Sequence, residues 1–178
     1  NLVSSNSGIG ENGGVYLNYT STRGVWFNNI FWGNRANVNQ DQDQYRHNLS
    51  YHEAQHFNLI TDYNDIEFMD HYMDTWAGPN SYNMDPGFVN PASNFKLADA
   101  SPLIGLGTSI FDGIAGPTFD MLNAKRPNPS GSSPDLGAYE NALAESPYPK
   151  QVKNVTATIG SQSVNLSWDA NIETDIEK

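Results

Sequence analysis

The 178-residue sequence predicts an all-β fold wound as a stacked solenoid, and three observations carry that expectation. Short runs rich in β-branched and aromatic residues recur at 15–19, 25–32 and 57–67, and such residues suit a pleated, half-buried surface. Gly, Asn, Ser and Thr separate the runs, which is the punctuation of strand and turn. The chain also holds 22 asparagines beside 15 glycines and 10 prolines, so it turns often and leaves little room for long helices. Asparagine favours a solenoid over a sandwich. Stacked passes place equivalent turn residues ~4.8 Å apart, where asparagine tolerates the left-handed region and its amides ladder from one pass to the next.

Charge narrows the partners. Twenty acidic residues against nine basic ones give a net charge of -11, with no Lys or Arg cluster; phosphate-backbone binding needs such a cluster, so nucleic acid is not an expected partner. An acidic surface is equally unattractive to anionic lipid, and no apolar run reaches the ~18 residues of a membrane span, so no membrane insertion is expected. The absence of cysteine excludes a disulfide scaffold. The chain opens in mid-pattern at NLVSSNSG and stops at ANIETDIEK, and reads as an excerpt of a longer protein.

Within residues 1–70 the runs at 15–19, 25–32 and 57–67 are expected to be strands of the last coils. Residues 35–56 are longer and more polar than a turn requires, and are expected to leave the coil as an insertion. From 85 to 140, prolines at 86, 91, 102, 117, 127, 129 and 134 forbid a regular ladder through much of the span. Residues 71–140 are therefore read as a loop-rich cap closing the open edge and core, with Phe88, Phe95, Leu97, Leu103, Ile104, Leu136 and Tyr139 packing over the final coil.

Four motifs in series, NNIFWGN at 28–34, YNDIE at 63–67, NMDPGFVNPASNFKLADASPLIGLG at 83–107 and AKRPNPSGSSPDLGAYE at 124–140, make the chain resemble the closing part of right-handed parallel β-helix proteins. The resemblance is to pectate-lyase-like bacterial surface proteins with a choice-of-anchor type Q ending, over residues 13–140. It implies an extracellular or cell-surface location. It also implies a carbohydrate-related parent, a polysaccharide lyase or glycoside hydrolase or a binder of polysaccharide or cell-surface glycan, whose working rungs lie upstream. The part in hand would be structural, with no catalytic residue. The chain departs from the family at Ser101-Pro102-Leu103-Ile104-Gly105-Leu106-Gly107, where the family carries Ser-Pro-Ala-Ile-Asp-x-Gly, so no role for that carboxylate carries over.

Residues 141–151 are small, polar and proline-bearing, as a linker is. Beyond them, alternation at Val155/Ala157/Ile159 and Val164/Leu166/Trp168 around Gly160-Ser161 predicts two antiparallel strands. This stretch, 152–178, is similar to the opening of a fibronectin type III domain and would supply two of its seven strands, with Trp168 entering the sandwich core.

Candidate chemistry centres on His52-Glu53-Ala54-Gln55-His56, the H-E-x-x-H pattern of zinc proteases. On a helix, positions i and i+4 share a face, so both imidazoles reach one Zn²⁺ while the glutamate activates its water. Asn48, Ser50 and Tyr51 before the motif and Phe57, Leu59 and Ile60 after it leave space for only about two helical turns, too little to anchor a buried metal. Asp62, Asp65 and Glu67 are the candidate third ligands, yet they fall in a strand-like run. His52 and His56, with His47, read instead as histidines of a polar loop able at most to make a surface metal contact.

Asp41-Gln42-Asp43-Gln44 resembles half of a calcium loop, but Arg46 and His52 occupy the positions that need Gly and Glu, which excludes an EF-hand and leaves irregular calcium binding open. Glu53, Asp62, Asp65 and Glu67 crowd into one coil and read as solvated edges rather than an acid/base pair. Asp85 and Asp135 read as turn residues bonding their own backbone. Trp26 and Trp32 alternate within strands and are expected in the core, whereas Trp76, in DTWAGPN, is loop-borne and could stack on a sugar.

Besides a carbohydrate-related parent, a non-enzymatic adhesin or surface stalk and a zinc metalloprotease are the competing readings. Elemental analysis of the purified protein is expected to find no stoichiometric zinc. One zinc per chain that is lost in His52→Ala would restore the protease reading.

Overall fold

The computed structural model of the protein describes residues 2–4, 14–17, 24–35, 48–51, 59–67, 77–149, 152 and 155–169, and over them the chain is all-β, with no helix. Seven short strands form its first part: β1 (Leu2–Ser4), β2 (Val15–Leu17), β3 (Gly24–Trp26), β4 (Ile30–Trp32), β5 (Leu49–Tyr51), β6 (Leu59–Thr61) and β7 (Asp65–Ile66). Every pairing among them is parallel. β2, β3 and β4 each receive a later strand in the same order, β5 on β2, β6 on β3 and β7 on β4, while β1 lies on the far side of β4. Parallel neighbours cannot be joined by a tight turn, so a long stretch of chain must intervene before each strand meets its partner. Here the stacked residues Asn29 and Asn64 are 35 positions apart. Tyr82 adds a parallel bridge to Asp65 beyond β7.

The bends between β3 and β4 and between β6 and β7 repeat one conformation. Asn28 (φ 58°) and Tyr63 (φ 55°) both adopt the left-handed region, and the Asn28 N–H donates to the Tyr63 carbonyl at 2.8 Å. Next to them Asn29 and Asn64 stack: Asn64 Oδ1 accepts from Asn29 N at 3.0 Å and from Asn29 Nδ2 at 2.8 Å. Both residues are buried, so these bonds replace water at backbone groups that would otherwise be orphaned. The expected asparagine ladder is present at this bend.

Residues 83–140 supply the second layer. Their regular elements are two antiparallel hairpins, β8 (Phe88–Asn90) with β9 (Asn94–Leu97) and β10 (Ile110–Phe111) with β11 (Ile114–Ala115). Loops make up the rest, as the prolines dictate. Leu97, Leu103, Ile104 and Leu136 bury themselves against Ile30 of β4, with Trp32, Tyr82, Met84, Phe88 and Leu106 around them. The segment thus lies along the side of the ladder as well as against its last pass. Asn28 reaches across to it, donating from Nδ2 to Thr108 O at 2.7 Å and accepting from Thr108 N at 2.9 Å. Gly137 (φ 91°) passes so close to β4 that a Cβ would stand 2.8 Å from Ile30 Cδ1, and its N–H donates to Asn28 O at 3.0 Å. Glycine is needed there for both the backbone angle and the space.

The last described element is an antiparallel hairpin, β12 (Thr156–Ile159) and β13 (Val164–Ser167), with Ile159 opposite Val164 and Ala157 opposite Leu166. Its apolar side chains are exposed, Ile159 at 88% and Trp168 at 57%, so the tryptophan expected in a sandwich core is solvated. A two-stranded hairpin without a covering layer is marginal by itself.

Replacing Asn64 by alanine orphans the buried Asn29 N–H and removes the amide donor to Asp62 O, while Trp26 O keeps the Asp62 N–H. The expected cost is about 1–3 kcal/mol in a denaturant titration. A loss within experimental error would mean that the amide stack contributes nothing to stability.

Candidate functional site

The polar groups of the ladder gather at its bends. At the bend after β4, Asn34 and Asn48 are both fully buried, and Asn48 Oδ1 accepts from Asn34 Nδ2 at 2.8 Å. Asn48 Nδ2 in turn donates to Glu67 Oε2 at 3.1 Å, which also accepts from Gly33 N at 2.8 Å. Arg35 closes the group with two bonds to the Glu67 carboxylate, Nη1 to Oε2 at 2.8 Å and Nη2 to Oε1 at 3.0 Å. Burial would push Glu67 up, but Arg35, Asn48 and the Gly33 N–H together hold its carboxyl below the usual glutamate range. Glu67 is therefore an ionised structural anchor rather than a proton donor.

Asp62 plays the same part at the bend before β7. Its Oδ1 accepts from Tyr63 N at 2.9 Å and Asn80 N at 2.7 Å, and its Oδ2 accepts from Asn80 Nδ2 at 2.8 Å. Gly78 (φ 87°) makes this approach possible, since a Cβ would lie 2.7 Å from Asp62 Cγ. Asp65, one residue past the asparagine stack, has no exposed surface.

A buried charged knot ties the 124–141 region together. The Arg126 Nε lies 2.7 Å from Glu140 Oε1, both side chains being almost wholly buried. Arg126 Nη1 donates to Gly137 O at 2.9 Å and Nη2 to Asp135 O. Glu140 accepts from Asn128 N at 3.0 Å and Asp135 N at 3.1 Å, while Asp135 takes Gly105 N at 2.8 Å and Asn141 N at 2.6 Å. Burial pushes Asp135 up to about 6, against the Asn141 and Gly105 N–H groups and Arg126. It pushes Glu140 up to about 7 against Arg126, with Asp135 adding to the rise. One cation is shared by two carboxylates, all withdrawn from water.

A recess of about 450 Å³ runs beside the bend between β3 and β4, between Val25, Trp26, Phe27 and Phe31 on the ladder and Ala115 and Pro117 on the second layer. Trp26 and Phe31 stack at 5.9 Å with an interplanar angle of 13°, and Phe111 meets both Phe27 and Tyr63 at about 6 Å. The polar residues at its margin, Asn28, Asn29 and Arg126, already make the bonds given above or within the bend. The recess thus offers aromatic and aliphatic contact, and its chemistry is packing rather than proton transfer.

His52 and His56, with His47, Glu53 and Trp76, lie outside the described residues, as does most of the insertion expected at 35–56; its described residues 48–51 do not leave the coil, since Asn48 is buried in the ladder and Leu49–Tyr51 pairs in parallel with β2. Among the described residues no three His, Asp or Glu side chains gather where they could hold a metal ion. Asp62, Asp65 and Glu67, read as solvated edges, are instead buried or bonded into the ladder. Asp85 makes the local turn bond expected of it, accepting from Gly87 N at 2.9 Å. Asp135 does more than a turn residue, since its bond from Gly105 spans 30 positions. Arg126 and Glu140 were not foreseen as a pair. The available signal was that Arg126, Asp135 and Glu140 are the only charges from 126 to 140.

No protein-family model, curated protein or solved structure matches the chain.

Removing the Glu140 side chain takes from Arg126 its nearest carboxylate and from the Asn128 and Asp135 N–H groups their acceptor. Glu140→Ala is expected to destabilise the protein by about 3–5 kcal/mol in denaturant unfolding at pH 6, and the neutral isostere Glu140→Gln to cost less. The native protein should behave in the opposite sense to ordinary acid denaturation over this region. Because Asp135 and Glu140 bind protons more tightly when folded, their contribution weakens as pH rises from about 4 to about 7. Protection of the 126–140 amides, corrected for intrinsic exchange, should fall across that window, and protection that rises with pH would contradict the assignment.

Proposed function

We propose that the chain is the C-terminal end of a right-handed parallel β-helix from an exported bacterial protein, and that its own work is structural. On this reading residues 1–70 are the last rungs, 71–140 the cap, 141–151 a linker, and 152–178 the first strands of a fibronectin type III-like module. The supporting observation is the register of the strands: β5, β6 and β7 lie on β2, β3 and β4 in the same order and all in parallel. A chain that repeats its own path one strand spacing further on is the geometry of a coil. Right-handedness follows the general rule for parallel crossovers.

The fate of the carboxylates supports a structural role. Asp62, Glu67, Asp120, Asp135 and Glu140 each accept backbone N–H bonds inside the protein, and acids so committed hold loops in place. The parent would bind or cleave polysaccharide on rungs further upstream, in line with the motif resemblance. The exposed apolar face of the β12–β13 hairpin supports an unfinished sandwich, whose remaining strands would cover Leu166 and Trp168.

The test is binding of the full-length parent to an array of acidic and neutral polysaccharides, with lyase and hydrolase assays on the ligands found. Saturable glycan binding is expected, unchanged by Glu67→Gln and Asp62→Asn in folded protein. No binding to any glycan would favour the adhesin or stalk reading, in which the solenoid is a spacer.

A further inference from the structure

Asp65 occupies a position that no solvated carboxylate could hold. The ladder aligns it with Ile30 on one side and Tyr82 on the other, and Ile30 points into the apolar cluster of Leu97, Leu103, Ile104 and Leu136. Parallel partners at matched register project to the same face, so Asp65 stands where the preceding pass carries isoleucine. It has no exposed surface. Its Oδ1 accepts the Met84 N–H at 2.9 Å, and its Oδ2 has no hydrogen-bond partner among the described residues.

The ionisable groups around it offer no compensation. Along its own strand the neighbour is Glu67, which Arg35 holds through two bonds. The segment packed against it contributes Tyr82 and Asp85, and both charged neighbours, Asp85 and Glu67, are acids that work against its ionisation. The cluster on the covering layer is aliphatic. A carboxylate in such a place would be an unpaired buried charge, whereas a neutral acid is a polar group with one bond already made. Burial, the largest influence, pushes the Asp65 carboxyl well above the usual aspartate range.

We propose that Asp65 is a proton-operated latch: as a neutral acid it holds the segment beginning at Met84 against the ladder, and loss of its proton releases that segment. The sign follows from linkage. A carboxyl that binds its proton more tightly when docked favours docking at low pH. That advantage is lost as pH rises from the ordinary aspartate value of 3.8 towards the native one, at about tenfold in the docking equilibrium per pH unit.

Two measurements on the full chain decide it. In the wild type, carboxyl-carbon NMR with Asp65 assigned is expected to show its side chain losing its proton well above the ordinary aspartate value of 3.8. Titration of Asp65 at that ordinary value would overturn the proposal, whether or not any variant folds. Exchange of the Met84 amide, corrected for its intrinsic rate, should lose protection by about tenfold per pH unit above pH 4 in the wild type and stay flat in Asp65→Asn, which cannot ionise. The same pH dependence in both proteins would also overturn it.

Discussion

Buried turns constrain this protein more than any other feature. A strand can pair all its backbone groups with neighbours, but the bend between two strands cannot. Here the bends at 28–29, 34, 48 and 64 are withdrawn from water. Asparagine solves the problem because one amide both donates and accepts. Asn64 shows the economy of it: Oδ1 takes two N–H groups of Asn29, while Nδ2 serves Trp26 O, Thr61 Oγ1 and Asp62 O. Those bonds exist only if Asn29 and Asn64 lie directly above one another, which fixes β7 on β4 at one register. Amide stacking and parallel pairing therefore require each other, and a one-residue slip would break both.

The second layer answers a different need. The face of β4 that carries Ile30 and Trp32 is apolar, and an uncovered apolar face beside an open strand edge invites association. Residues 83–140 cover it, yet their prolines deny them a continuous ladder. Side chains then take over the work of backbone pairing. Ser101 Oγ donates to Pro86 O at 2.6 Å and accepts from Leu103 N at 3.1 Å. Asp120 gathers Leu122 N and Ala124 N on one oxygen and Glu140 N on the other. Arg126 does the same for the carbonyls of 135 and 137. A loop-rich layer becomes a defined one through such clamps, at the expense of burying charge where only internal partners can balance it.

Much of this was legible in the sequence because it rests on local rules. The β-rich runs at 15–19, 25–32 and 57–67 announce strands, although the last two each break into a pair of strands at the bends of Asn28 and Tyr63; the asparagines announce stacked bends, and alternation from 155 to 168 announces the final hairpin. Of the apolar residues expected to cover the final coil, Leu97, Leu103, Ile104 and Leu136 form the buried cluster and Phe88 packs at its edge. What stayed hidden depends on register. Asp65 lies in an acidic stretch, T-D-Y-N-D-I-E, whose composition alone suggests solvent. Only the pairing with Ile30 reveals that alternate residues there face a covered side. Arg126 and Glu140 were hidden for a related reason, since residues 14 positions apart are brought together by loops whose path no periodicity encodes.

Chemistry in the described part is limited by the same economy. An acid or base that acts on a substrate must keep a lone pair or a proton available at a surface the substrate can reach. Glu67, Asp62, Asp135 and Glu140 have both oxygens directed at internal donors. Freeing any of them would undo a bend or a clamp, so the groups that make the architecture cannot also be reagents. The surfaces that the polar network leaves alone are the aromatic wall of the recess at Trp26 and Phe27 and the open face of the last hairpin. Both present apolar area rather than charge. In the described part, then, these carboxylates are committed to keeping the backbone dry, and the surface free of that commitment is apolar.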